Sequence, residues 1–268
     1  MKNVDLHIED SRGEGRPIVL IHGWPLSAAA WAPQIEALQE AGFRTIAYDR
    51  RGFGHSAKPA SGYDYDTFAA DLAGILDERD LRDVTLVGFS MGGGEVARYV
   101  RDHGQARLHS LVFAAAVTPF LLKGPDNPDG PLTPEAAQEK ADKYAAGRHA
   151  YYDEFTRKFF SANDRLMVSE AEREDALRIC EQADPAAAAA CMDAFATTDF
   201  RPDLAMITVP TLVIHGDADA ILPLEKTGAR THAAVKGSEL VVIPDGPHGL
   251  NTSHTEQFNQ ALIDFLQR

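Results

Sequence analysis

Apolar residues along this chain fall into short unbroken runs, and stretches with a helical period separate them. Pro17-Ile18-Val19-Leu20-Ile21 is almost wholly apolar, the mark of a strand covered on both faces of a parallel sheet. Further strands are read at 43–48, 84–87, 108–114, 211–215 and 239–243. Helical patterns run over 27–41, 65–79, 91–100, 225–234 and 254–267. Residues 4–9 alternate apolar and polar, as a half-exposed strand does, and 11–16 read as a turn. Such alternation of strand and helix predicts a doubly wound, mostly parallel α/β sheet.

The rhythm stops between 119 and 202, where no convincing strand can be found. Residues 123–134 are rich in Pro, Gly, Asp and Asn and read as a loop. Helices are expected at 134–146, 151–160, 170–182 and 185–195, the last alanine-rich through helix propensity alone. The expected organisation is therefore a core domain of residues 1–118 and 203–268, with 119–202 inserted as a helical cap. No internal repeat is present.

Composition narrows the function more than the fold. The 268 residues are enough to bury a substantial core. A net charge of -14, with no cluster of Lys and Arg against it, disfavours nucleic acid or an anionic membrane as partner. The first residues lack an apolar core of signal-peptide length, and no run is long enough to span a bilayer. A cytoplasmic location is the expectation, and a homo-oligomer is left open. Cys180 and Cys191 lack metal-ligand spacing, which argues against a disulfide framework or a zinc site.

The candidate chemistry centres on Val84 and the residues after it, VTLVGFSMGGGEVARYV. A short aliphatic run must turn sharply into a helix at Ser90, and Gly88-Phe89-Ser90-Met91-Gly92 fits the G-x-S-x-G pattern of a strained nucleophile elbow. By residue frequency alone the bare pattern would occur in roughly one chain of this length in ten. The strand before it and the helix after it make it much rarer.

A serine hydroxyl needs a general base within hydrogen-bond reach and an acid to orient that base. In an open α/β sheet such groups gather beyond the carboxyl ends of the strands, which shortens the list of ten histidines. His248 follows a strand through Pro244-Asp245-Gly246-Pro247 and is the candidate base. His22 and His215 each directly precede a glycine and fit better as loop hydrogen-bonders. His7, His55 and the remaining histidines read as surface or turn residues. For the acid, Asp219 is preferred to Asp217, which is better placed to cap the turn, with Asp245 a distant third. Met91 N–H, directly after the serine, and Trp24 N–H, in the loop after Ile21, are the candidate oxyanion donors. Pro25 has no N–H to offer.

Over nearly its whole length the sequence resembles the α/β-hydrolase family, through HGWP, YDRRGFGHS, GFSMGGGE, HGDADAILP and PHG. The order Ser, Asp, His is that of the family. More narrowly, GFSMGGGEVARY with TDFRPD is similar to the cofactor-free haloperoxidase, perhydrolase and aryl-esterase branch. The resemblance implies a serine acylated by a small ester or carboxylic acid and released by water or hydrogen peroxide, with no haem, metal or flavin. It supports Ser90, Asp219 and His248 as triad, with Trp24 and Met91 as oxyanion donors. Trp-Pro recurs among the haloperoxidase-named members, so Pro25 is either a peroxide-handling residue or simply a rigid point in the loop. The chain has room for one strand before the HG strand where members often have two, so a sheet of about seven strands is expected.

The pocket is expected between sheet and cap, lined by Trp24, Pro25, Phe120, Phe155, Phe159, Phe195, Ile221 and Leu224. Phe155 and Phe159, four residues apart on a helix, read as core before pocket, whereas Phe120, Phe195, Ile221 and Leu224 each fall at a cap junction or beside the acid loop. With an apolar lining and no placed cationic residue, small uncharged esters are the expected substrates. A lactone or carbon–carbon bond hydrolase of the same fold, or a slow-turnover small-molecule receptor, shares the same motifs.

Overall fold

The computed structural model describes residues 4–268. Its main sheet holds β1 (Ile8–Asp10), β2 (Pro17–Ile21), β3 (Arg44–Tyr48), β4 (Val84–Phe89), β5 (Leu108–Ala114), β8 (Thr211–Gly216) and β9 (Glu239–Ile243). These seven strands lie in the order β1-β3-β2-β4-β5-β8-β9. Within this sheet, among the described residues, only β1 is antiparallel, on β3, and the other pairings are parallel. Four residues of β2, Ile18 to Ile21, have no exposed surface, as an all-apolar strand buried on both faces should.

Around the sheet lie α1 (Ala32–Glu40), α2 (Tyr65–Glu78), α3 (Met91–His103), α9 (Gly228–Ala234), α10 (Leu250–Ser253) and α11 (Thr255–Leu266). Between β5 and β8 the chain forms α4 (Pro134–Ala146), α5 (Arg148–Phe159), α6 (Glu170–Glu181), α7 (Pro185–Thr197) and the single turn α8 (Arg201–Leu204). Local chemistry explains where these helices start. The Asp64 side chain accepts the Thr67 N–H at 2.9 Å ahead of α2. Ser169 and Glu172 form a capping box ahead of α6, and Asp184 with Pro185 opens α7.

Two departures from the sequence reading have plain causes. The first strand occupies Ile8–Asp10 rather than 4–9, because the backbone before it bonds to a loop instead of to the sheet. His7 N–H donates to Ser56 Oγ at 2.8 Å, and Ala57 N–H donates to Asp5 O at 2.9 Å. Within 119–202, β6 (Ser161–Ala162) and β7 (Arg165–Leu166) form a small hairpin, whose turn places Asn163 and Asp164 at positive φ. Two-residue strands carry too few positions to show a period. No helix of the described residues is long and apolar enough to cross a membrane.

Candidate active site

Ser90, Asp219 and His248 all lie just beyond carboxyl ends of parallel strands: β4, β8 and β9. At the end of β4 the chain turns directly into α3, and Ser90 takes φ +53° and ψ −117°. That conformation is strained for a residue with a Cβ, and the surroundings hold it. Ser90 N–H donates to Ala114 O at 2.8 Å, while its carbonyl accepts from Gly93 N–H and Val117 N–H, both at 3.1 Å. The flanking glycines are needed for close passage: a Cβ on Gly92 would sit 2.4 Å from Ile21 O, and one on Gly88 2.5 Å from Gly92 O.

His248 is buried, its ring packed against Phe89 and Phe159 with centroids 5.3 Å away in each case. Its Nδ1 lies 2.6 Å from Asp219 Oδ2 and its Nε2 2.9 Å from Ser90 Oγ. A carboxylate only accepts, so the proton of the neutral ring belongs on Nδ1 and the Nε2 lone pair faces the serine hydroxyl. This is the geometry in which an imidazole can take the serine proton.

Asp219 is buried and fully engaged. Its Oδ1 accepts the N–H groups of Ile221 and Leu222 at 2.8 Å each, and its Oδ2 also lies 3.3 Å from His215 Nε2. Burial pushes its pKa up. Attraction to His248 in its protonated form and hydrogen bonds from His215 and His248 outweigh that and hold it well below the ordinary value. Asp217, by contrast, is exposed and accepts Asp245 N–H at 2.7 Å, capping the turn. Asp245 is exposed and its carboxylate takes a hydrogen bond from Asn163.

His22, just after β2, and His215, near the end of β8, do structural work. His22 Nε2 accepts Arg50 N–H at 2.9 Å, so its Nδ1–H donates to Gly23 O at 2.8 Å. Burial, then the neighbouring Arg50 charge, pushes its pKa well down, keeping it neutral. His215 Nε2 donates to Leu222 O at 2.8 Å, closing the loop that carries Asp219. The loop after β2 comes right up to the elbow: a Cβ on Gly23 would be 2.9 Å from Phe89 Cδ1 and 2.9 Å from Ser90 Cβ. Trp24, the next residue, and Ser90 therefore border the same space, and Met91 opens α3, where an N–H has no intrahelical acceptor.

That space is a cavity of about 570 Å³. Of the residues expected in its wall, Trp24, Phe155, Phe195 and Ile221 line it together with Ser90 and His248. Pro25, Phe120, Phe159 and Leu224 do not. Pro25 is buried beside Trp24, and the Phe120 ring lies under the Arg201 guanidinium, 5.3 Å away. Phe159 forms a layer behind His248 among Phe89, Phe155 and Phe160, and Leu224 opens a half-exposed 3-10 turn. Their places are taken by Val117, Leu121, Leu132, Tyr151, Met192 and Leu222. Tyr151 could have been found, being four residues before Phe155 on α5. Met192, three residues before Phe195 on α7, carries a similar signal, whereas Val117, Leu121, Leu132 and Leu222 sit in loops and carry none.

The absence of a placed cation is also corrected. Lys140, Lys143 and Lys158, with Glu139, Glu154 and Asp193, belong to the wall, and those on α4 and α5 are exposed at its rim. The Trp24 indole ties this wall to the elbow. Its Nε1–H donates to Ala188 O at 3.0 Å, and its ring packs edge-on or tilted against Tyr144, Tyr151, Tyr152, Phe155 and Phe195.

Known proteins of the same fold resemble this chain over nearly its whole length. Residues 16–255 match the family model described as the alpha/beta hydrolase fold. The chain is 42% identical over 259 residues to a non-heme chloroperoxidase of Kitasatospora aureofaciens, covering 96% of this chain and 94% of that one. It is 33% identical over 268 residues to a bifunctional esterase/perhydrolase of Acinetobacter calcoaceticus, covering 98% and 96%. Among solved structures, a bromoperoxidase from Bacillus anthracis superimposes with a TM-score of 0.97 at 48% identity, over 99% of this chain and 96% of that one. With an elbow serine after the fourth strand and the matching strand order around it, the chain belongs to the alpha/beta hydrolase family.

Proposed function

We propose that the protein is a serine carboxylesterase acting on small uncharged esters, with a perhydrolase side activity when hydrogen peroxide replaces water. The hydrogen-bonded line from Ser90 through His248 to Asp219, opening on a cavity with an apolar interior, carries this reading. Ser90 Oγ attacks the ester carbonyl while His248 Nε2 takes its proton, and the proton then passes to the departing alkoxide. Asp219 fixes the ring and stabilises the imidazolium. The N–H groups of Trp24 and Met91 hold the developing oxyanion. Water then attacks the acyl-enzyme and gives the carboxylic acid. Hydrogen peroxide in the same place gives a peracid, which oxidises halide free in solution, so no cofactor takes part.

The similarity to proteins named as a non-heme chloroperoxidase and a bifunctional esterase/perhydrolase supports the peroxide branch. The buried parts of the cavity wall, Val117, Leu121, Met192 and Leu222, support uncharged acyl groups of modest size. p-Nitrophenyl acetate turnover by wild type and by Ser90→Ala tests the reading. Turnover abolished by the substitution is expected. A ligand-dependent rise in melting temperature with negligible turnover in the wild type would point to a receptor instead.

A further inference from the structure

We propose that His7, Asp49 and His55 form a binding site for a borderline divalent cation of the Zn²⁺ type, on the face of the molecule where the first strand meets the loop after β3. One ligand atom from each of the three lies within 4.8 Å of the others. His55 Nδ1 is 3.5 Å from Asp49 Oδ2. In a tetrahedral zinc shell, bonds of about 2.0–2.2 Å place neighbouring donors roughly 3.3–3.5 Å apart. One edge of such a shell is thus already in place, and the exposed imidazole of His55 has freedom to close the rest. Two imidazole nitrogens with a carboxylate suit Zn²⁺, Ni²⁺ or Cu²⁺ better than Mg²⁺ or Ca²⁺.

The backbone holds the three residues in register. Asp49 N–H donates to His7 O at 2.9 Å, and His7 N–H donates to Ser56 Oγ at 2.8 Å. Ser56 Oγ–H in turn donates to Asp49 O at 2.5 Å. The Asp49 carboxylate is buried and oriented by N–H groups, Oδ1 by Ala28 at 2.8 Å and Oδ2 by His55 at 2.7 Å, while Oδ2 keeps a further lone pair. Outer hydrogen bonds of this kind orient metal-ligating carboxylates. Glu9, two residues beyond His7, has its Oε1 3.5 Å from His7 Nε2 and is in reach as a fourth donor. The net charge of -14 favours a cation. The sequence argued against zinc on cysteine spacing alone, and ligands drawn from two segments leave no spacing to read. Through Asp49 Oδ1 and Ala28 the ion would brace the segment that follows Trp24 and Pro25, a structural role separate from the reaction.

The test is calorimetric titration of Zn²⁺ into untagged, chelator-stripped protein, with melting temperature measured in parallel. Wild type should take up one equivalent and melt several degrees higher with the ion. His7→Ala and His55→Ala should each weaken binding at least ten-fold and lose that shift. His149→Ala, an exposed histidine paired with Glu181, should leave both unchanged. Zn²⁺ binding that survives His7→Ala and His55→Ala, or no binding to wild type at millimolar ion, would overturn the proposal. Circular dichroism of each variant confirms that loss of binding is not loss of fold.

Discussion

Arg50 Nε lies 2.7 Å from Glu95 Oε2, with side chains 1% and 0% exposed. The pair joins the elbow helix α3 to the loop after β2, since Arg50 Nη2 also donates to His22 O at 2.9 Å and Tyr48 O–H donates to Glu95. Replacing Glu95 by Ala leaves a buried guanidinium without its counter-charge, which typically costs about 3–5 kcal/mol. Urea unfolding of Glu95→Ala should show a loss of that size. A loss under about 1 kcal/mol, the range of an exposed pair, would mean that the network does not hold the two loops together.

Gly23 stands where the loop after β2 touches the elbow. A methyl group there meets Phe89 and Ser90 at 2.9 Å, so Gly23→Ala must push the loop carrying Trp24 away from the serine. Misplacement by a fraction of an ångström matters in such a site. The variant should fold with a normal circular dichroism spectrum and lose at least ten-fold in kcat. Unchanged kcat would place the oxyanion donor elsewhere.

The depressed pKa of Asp219 links the site to acid stability. From the ordinary value of 3.8 it is held down in the folded state, so on acidification the unfolded chain takes the proton first. Its contribution is then fully present above about pH 5 and is lost progressively below about pH 4. The gap in unfolding free energy between wild type and Asp219→Asn should be flat from pH 6 to 5 and should narrow towards pH 3. A gap that widens on acidification would reverse the assignment. At neutral pH the same substitution should lower kcat by about 10³–10⁴-fold, because the wrong tautomer of His248 is then favoured.

Pro25 was expected in the cavity wall and is instead buried next to it. Any influence on peroxide therefore runs through the backbone it shares with Trp24. Pro25→Leu should lower the ratio of perhydrolysis to hydrolysis, measured as peracid and acid formed from one ester, without unfolding the protein. An unchanged ratio would leave Pro25 as a rigid point of the loop and nothing more.

The parts of the molecule legible in its sequence are those that local rules govern. An all-apolar run such as Ile18 to Ile21 must be covered on both faces, and a G-x-S-x-G turn must sit at a strand end. Those two facts give the sheet and Ser90, and the rule that reactive groups gather beyond the carboxyl ends of the strands adds His248 and the Asp217–Asp219 loop. Which side of a two-sided interior a buried ring faces is not a local property. Phe155 and Phe159 share a helix stripe, yet Phe155 lines the cavity while Phe159 packs behind His248. Phe120 was expected in the pocket wall and instead lies under Arg201, a partner far along the chain. The rim lysines were hidden for the same reason, because a charged helix face reads as solvated until another element is seen to enclose it.

Ser90 is the proposed nucleophile, and trapping it covalently is the most direct measurement. Wild-type protein treated with a p-nitrophenyl phosphonate should release one equivalent of p-nitrophenol. The phosphonyl mass should appear on the peptide containing Ser90. His248→Ala should label slowly and Ser90→Ala not at all. Labelling of another residue, or equal labelling of the Ser90→Ala protein, would contradict the assignment.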